Sequence, residues 1–151
     1  MNSVVVALGS NLGDRRAHLD WAVDRLRNLL SDLRVSSYVE TEPVGVPDAQ
    51  PTYLNAVVVG TTTTPAEALL AELLRLEGER GRVRQGHRAA RTLDLDLILY
   101  GDLILDRADL TLPHPRFRER RFVLEPLVEI APDVSDPVTG KTARELLAAL
   151  S

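Results

Sequence analysis

The chain has 151 residues, 44% hydrophobic and 26% charged, with a net charge of −4 and no cysteine. That length is expected to make one domain, spanning 1–151, with a substantial buried core. No apolar run approaches the span of a bilayer, disulfides and thiolate metal sites are excluded, and the overall charge does not favour nucleic acid, so a globular protein of a reducing cytoplasm is expected, with no membrane or nucleic-acid partner.

The N-terminal "MNSVVVALGSNLG" lacks the basic flank and cleavage region of a signal peptide and is read as part of the fold. Within it, Val4 to Leu8 is a short apolar run of β-branched character that predicts a buried strand. The turn-rich "GSNLGD" that follows resembles a phosphate loop only superficially and is read as a tight turn leading into a helix. In that helix Leu19, Val23, Leu26, Leu30 and Leu33 recur at helical spacing, with Trp21 off the stripe as a packing residue. Val35 to Val39 and Leu54 to Gly60 predict two further strands. Between them "TEPVGVPDAQPTY" is too long and too proline-rich for a hairpin, and such loops often carry function.

A second helix opens at "TPAEALLAELLRLEGERG", with Thr64 as N-cap, Pro65 at the first helical position, Glu67 closing a capping box, and Gly78 and Gly81 marking the end. The chain then enters a basic loop and a strand, "RTLDLDLILYG". Alternation puts Leu93, Leu95, Leu97 and Leu99 on one face and Asp94, Asp96, Ile98 and Tyr100 on the other. Gly101-Asp102 predicts a turn into a small hairpin through Leu105, followed by a proline-punctuated segment with a short helix. Thr142 and Glu145 form a capping box for a terminal helix through Leu150. Strands and helices alternate irregularly, which predicts an α+β fold with a mainly antiparallel sheet and helices packed on it.

Two carboxylates sharing a face are ordinary when that face meets water. Here the face continues as Ile98 and Tyr100, so it is expected to be covered by protein, and the acids then need a partner. Arg91 is one; a magnesium ion, which prefers oxygen ligands and keeps waters and phosphates as the remainder, is the other. Nine of the 17 arginines fall at Arg80, Arg82, Arg84, Arg88 and Arg91 and at Arg116, Arg118, Arg120 and Arg121, whereas the single lysine is Lys141. Arginine forks match phosphate oxygens, and an acid pair beside basic clusters is what phosphoryl chemistry requires. No Walker or kinase glycine loop is present. His114, between prolines and beside the arginines, is read either as structural or as a phosphate donor. Tyr53 and Phe122 are core aromatics or plates around a flat heterocycle, and Asn55 is a strand residue or a ligand donor.

Taken together and in order, "LGSNLGDR", "PTYLNAVV", "GRVR", "RTLDLDLILYG" and "LPHPRFRERRFVLEPLVEIAP" resemble the 6-hydroxymethyl-7,8-dihydropterin pyrophosphokinases of folate biosynthesis. The resemblance runs nearly end to end. It implies a ferredoxin-like fold, ATP as co-substrate, two Mg²⁺ ions and transfer of pyrophosphate to the pterin hydroxymethyl group with release of AMP. Carried over by position, it assigns the metal to Asp94 and Asp96, and catalysis to these with Arg82 and Arg91. ATP falls to Glu77, Arg84, Arg91, His114 and Arg120, and the pterin to Thr41, Gly45, Tyr53, Asn55 and Phe122. The chain departs from the family at "HRAAR", where Ala89 and Ala90 replace Gly-Pro and Arg88 stands at a frequent tryptophan. The loop 82–92 is expected to order around phosphates, and the chain to act as a monomer. A nucleic-acid-binding module on a similar sheet and a non-catalytic relative are the rival readings; the first would put two acids in its binding face.

Overall fold

The computed structural model describes residues 1–41, 52–80 and 92–150. The apolar run near the N-terminus forms β1 (Asn2–Ser10), buried from Val4 onward. It turns into α1 (Arg15–Leu29), whose N-cap is Asp14; the Asp14 carboxylate accepts from Ala17 N. Next come β2 (Ser31–Val35), β3 (Val39–Thr41), β4 (Tyr53–Thr62), α2 (Ala66–Glu79) and β5 (Asp94–Tyr100). The chain closes with β6 (Leu105–Asp106), β7 (Thr111–Leu112), a short 3-10 turn at Phe117–Glu119, α3 (Arg121–Ile130) and α4 (Ala143–Ala148).

The main sheet is antiparallel, in the order β2-β4-β1-β5 with β3 also on β4. With the short β3 set aside as an addition on β4, the βαββαβ order and this arrangement are the ferredoxin-like fold, as expected. Alternation along the central strands divides the core in two. Val4, Val6 and Leu8 join Leu19 and Leu26 of α1 and Leu69 and Leu73 of α2 on one face. Val5, Ala7, Val57 and Val59 meet Phe117, Leu124 and Leu127 on the other. A leucine buried as completely as Leu26 or Leu124 contributes about 1.5–3 kcal/mol relative to exposure.

Several local expectations are corrected. The first helix ends at Leu29, and Leu33 lies on β2; its side chain packs on the same core, which is why it continued the helical stripe. Residues 35–39 are not one strand, because Ser36 makes a corner: its N–H donates to Val57 O and its hydroxyl accepts from Val57 N. Pro65 is the N-cap of α2, with φ −58° and ψ 152°, so Thr64 caps nothing; Glu67 pairs with Arg107 at 3.0 Å instead of closing a box. Gly78 is helical, the cap is Arg80, and Gly81 lies outside the described residues. The turn at Gly101, φ +53°, is as expected, but the hairpin after it pairs β6 with β7 further along.

The last correction concerns β5. Val5 pairs with Leu99 and Val6 with Leu97, so Ile98 is an extra residue, a bulge. Beyond it the faces exchange: Leu99 joins Ile98 in the second core cluster, while Tyr100 joins Leu93, Leu95 and Leu97 in the first. Asp94 and Asp96 precede the bulge and keep the expected shared face. The Thr142–Glu145 capping box is present, although its helix is only six residues long.

Candidate active site

The register of three strands builds a trough in the sheet. Gly9 on β1 stands between Asn55 on β4 and Asp94 on β5, and one step along Ala7 stands between Val57 and Asp96. The middle strand thus offers its two smallest side chains where the outer strands offer acids and an amide. A Cβ on Gly9 would lie 3.3 Å from Asn55 Oδ1 and 3.5 Å from the Tyr53 ring, so the trough floor depends on its absence. Thr41 pairs with Tyr53 at the far side, and its hydroxyl accepts from Asn55 Nδ2 at 2.5 Å.

The roof comes from the segment entering α3. Arg116, Glu119, Arg120, Arg121, Phe122 and Val123 complete a cleft of about 550 Å³ whose floor is Ala7, Gly9, Thr41, Tyr53, Asn55, Asp94 and Asp96. The Arg120 guanidinium lies 5.5 Å from the Phe122 ring centroid, a cation–π distance. Helix α3 has no acid in its first turn and no side-chain cap, so its N-terminal dipole and the flanking Arg120 and Arg121 face the cleft, with Glu119 beside them.

His114 stands beside this roof, its N–H donating to Ile98 O at 2.9 Å. Arg116 N donates to His114 Nδ1 at 3.2 Å, which places the proton of the neutral ring on Nε2. Burial is the largest cause of a lowered His114 pKa; Arg120 and Arg116 lower it further, while Asp94 works in the opposite sense. Arg118, in the same turn, is held by Asp136, 1% exposed, through Nε and through Nη2 at 2.9 Å.

Of the residues singled out in the sequence, Asp94, Asp96, Thr41, Tyr53, Asn55, Arg120 and Phe122 line one cleft, with His114 alongside. Glu77 does not line it. It is 2% exposed and its Oε2 accepts from Leu95 N at 2.7 Å, which supports β5 between the two aspartates from behind. Arg82, Arg84, Arg91 and Gly45, with the whole 82–91 stretch, lie outside the described residues. Glu119 in the roof and Ala7 and Gly9 in the floor were not anticipated. The signal for Ala7 and Gly9 was the shrinking series Val5, Ala7, Gly9 on one face of β1.

The acid pair suits a hard divalent cation. Asp94 and Asp96 share the trough opposite Gly9 and Ala7, and among the described residues no group of three or more His, Cys, Asp or Glu could hold a metal ion. Two carboxylates without a third leave room for the waters and phosphate oxygens that magnesium takes.

Residues 5–132 match the family model of 7,8-dihydro-6-hydroxymethylpterin-pyrophosphokinase. A 2-amino-4-hydroxy-6-hydroxymethyldihydropteridine pyrophosphokinase of Synechocystis sp. is 42% identical over 149 residues, covering 97% of this chain and 75% of the relative. The enzyme of that name from Bacillus subtilis is 42% identical over 144 residues, covering 93% of this chain and 85% of its own length. Among solved structures, Plasmodium falciparum HPPK-DHPS with pteroate is similar in fold at a TM-score of 0.74, with 14% identity, over 98% of this chain and 42% of that one.

Proposed function

The chain belongs to the 7,8-dihydro-6-hydroxymethylpterin-pyrophosphokinase family and is a pyrophosphokinase of folate biosynthesis, and from that premise we propose how its cleft moves pyrophosphate from ATP to the hydroxymethyl group of 6-hydroxymethyl-7,8-dihydropterin, releasing AMP. The observation that carries the reading is that Asp94 and Asp96 share one cleft with Tyr53, Asn55 and Phe122. A flat, hydrogen-bonding heterocycle fits at the aromatic end and phosphates fit at the acidic and basic end.

In this account Tyr53 and Phe122 stack on the pterin, while Asn55 and Thr41 read its edge. Arg120 and the N-terminus of α3 bind phosphate oxygens, and the Nε2–H of neutral His114 donates to another. Arg82, Arg84 and Arg91 are assigned to the triphosphate and Gly45 to the pterin by motif position, while Glu77, buried behind β5, would serve the ATP end only by holding Leu95 between the two aspartates. Asp94 and Asp96 would hold two Mg²⁺ ions, which when bound offset the negative charge of the phosphates. The hydroxymethyl oxygen bonds to the β-phosphorus, the bond from that phosphorus to the α,β-bridging oxygen breaks, AMP leaves with that oxygen, and the hydroxyl proton passes to solvent. Holding donor and acceptor in line supplies most of the catalysis, because no protein group needs to form a covalent bond. Among the described residues no helix is long and apolar enough to cross a membrane. The absence of cysteine supports a cytoplasmic setting, and the chain is read as acting as a monomer.

The test is AMP formation with magnesium, ATP and the hydroxymethyl dihydropterin. AMP should appear only when the pterin is present. Asp96→Ala should abolish turnover while the protein stays folded, since Asp96 is only partly buried and lines the cleft. Turnover near the wild-type rate in that variant would refute the metal assignment.

A further inference from the structure

Arginine is out of place at the start of a helix, where the dipole favours anions, yet Arg15 is the first residue of α1 and the first turn holds no acid. A local rule broken in this way points to a tertiary use. The Arg15 side chain leaves the helix and joins two separate stretches of chain. Its Nη1 donates to both Thr52 O and Thr52 Oγ1 at 2.8 Å, and its Nη2 pairs with the Glu40 carboxylate.

Glu40 and Thr52 are the residues immediately before Thr41 and Tyr53. Those two pair directly with each other in the β3–β4 register and both line the cleft. Strand β3 has only three residues, so its own ladder is a weak means of fixing Thr41. We propose that Arg15 is a positioning residue for the pterin end of the cleft: one guanidinium ties the chain entering Thr41 to the chain entering Tyr53, and so sets the spacing of the wall the heterocycle meets. The proposal rests on the reading of that end as the pterin site. Arg15 is not itself part of the cleft lining, so it acts through its neighbours. The planar fork serves Thr52 and Glu40 at once, which an ammonium cannot do with the same geometry. With side-chain exposures of 26% and 60%, the Arg15–Glu40 pair adds little to global stability, so its removal should leave the fold intact.

The experiment compares wild type, Arg15→Met and Arg15→Lys in the full chain. It measures equilibrium binding of 6-hydroxymethyl-7,8-dihydropterin, of Mg²⁺ with a non-hydrolysable ATP analogue, the unfolding midpoint, and amide exchange at Thr41 and Tyr53. Arg15→Met should bind pterin about tenfold more weakly with nucleotide affinity within about twofold, and Arg15→Lys should recover only part of the loss. Amide exchange at Thr41 and Tyr53 should quicken while that of β1 does not. Unchanged pterin affinity, unchanged exchange, or equal losses for both ligands together with a lower unfolding midpoint would each overturn the positioning role. A wild-type chain that binds nucleotide but no pterin would instead overturn the reading of the site on which the proposal rests.

Discussion

Phe122 sits half in the second core cluster and half in the cleft, which makes it the sharpest single-residue test of what the cleft holds. If its ring is a plate for the pterin, Phe122→Ala should weaken pterin binding several-fold to tens-fold, since a stacked pair contributes about 0.5–1.5 kcal/mol beyond buried area. Nucleotide binding should fall less, and titration calorimetry with each ligand separately checks this. Equal losses would mean that the ring only packs. At this scale the sequence was most legible where residue type and chemistry coincide: an aspartate pair on one strand face can do few things under a covered sheet. It was least legible at Gly9, because a glycine after a strand reads equally well as a turn, and only the approach of Asn55 and Tyr53 shows that it is a floor.

Between residue and molecule, the roof segment is held from outside the cleft. Asp136 takes two bonds from Arg118, one from Val138 N at 3.0 Å and one from Thr139 Oγ1 at 2.8 Å, tying the turn at Phe117–Glu119 to the chain before α4. Burial pushes the Asp136 carboxyl up, but the bonds from Arg118, Val138 and Thr139 outweigh it and hold its pKa below the ordinary carboxylate value. Asp136→Ala leaves Arg118 and a turn without their common partner, and should cost about 3 kcal/mol in denaturant unfolding, against well under 1 for an exposed pair such as Arg121–Glu125. An unfolding midpoint equal to wild type would show that the pair holds nothing. Element identity was readable from periodicity and caps, as with the box at Thr142. Element edges were not, because they depend on partners far away in sequence: the Ser36 corner on Val57, and the bulge at Ile98 on β1. Period-two alternation carries no mark of an inserted residue, so the faces of Leu99 and Tyr100 were misjudged while those of Asp94 and Asp96 were not.

The whole molecule carries a pH signature. Burial, reinforced by neighbouring arginines, lowers the pKa of His18 and of His114 from the ordinary 6.5. The unfolded chain therefore takes up protons at a higher pH than the folded one. Stability from these two groups is fully present above about pH 6.5, is lost as pH falls from there toward the lowered folded values, and does not change further below them. Urea unfolding at pH 7.5 and 5.5 should show the lower stability at 5.5, and His18→Gln with His114→Gln should flatten the difference; greater stability at 5.5 would contradict the assignment. His18 adds a geometric reason, since its Nδ1 accepts from Arg80 Nε at 2.9 Å and protonation there removes the bond. The α+β layout was expected from irregular alternation of elements, and the ferredoxin-like order from resemblance. That the second face would be covered was expected from Ile98 and Tyr100, but not what covers it, because the proline-punctuated C-terminal segment gave no sign that its helices would pack there and roof the trough. Everything proposed for this cleft converges on where the two substrates lie. A crystal structure with Mg²⁺, a non-hydrolysable ATP analogue and 6-hydroxymethyl-7,8-dihydropterin should place the pterin between Tyr53 and Phe122, with its hydroxymethyl group directed toward the Asp94–Asp96 pair and the β-phosphate. A pterin bound elsewhere, or phosphates seated away from the two aspartates, would contradict the account.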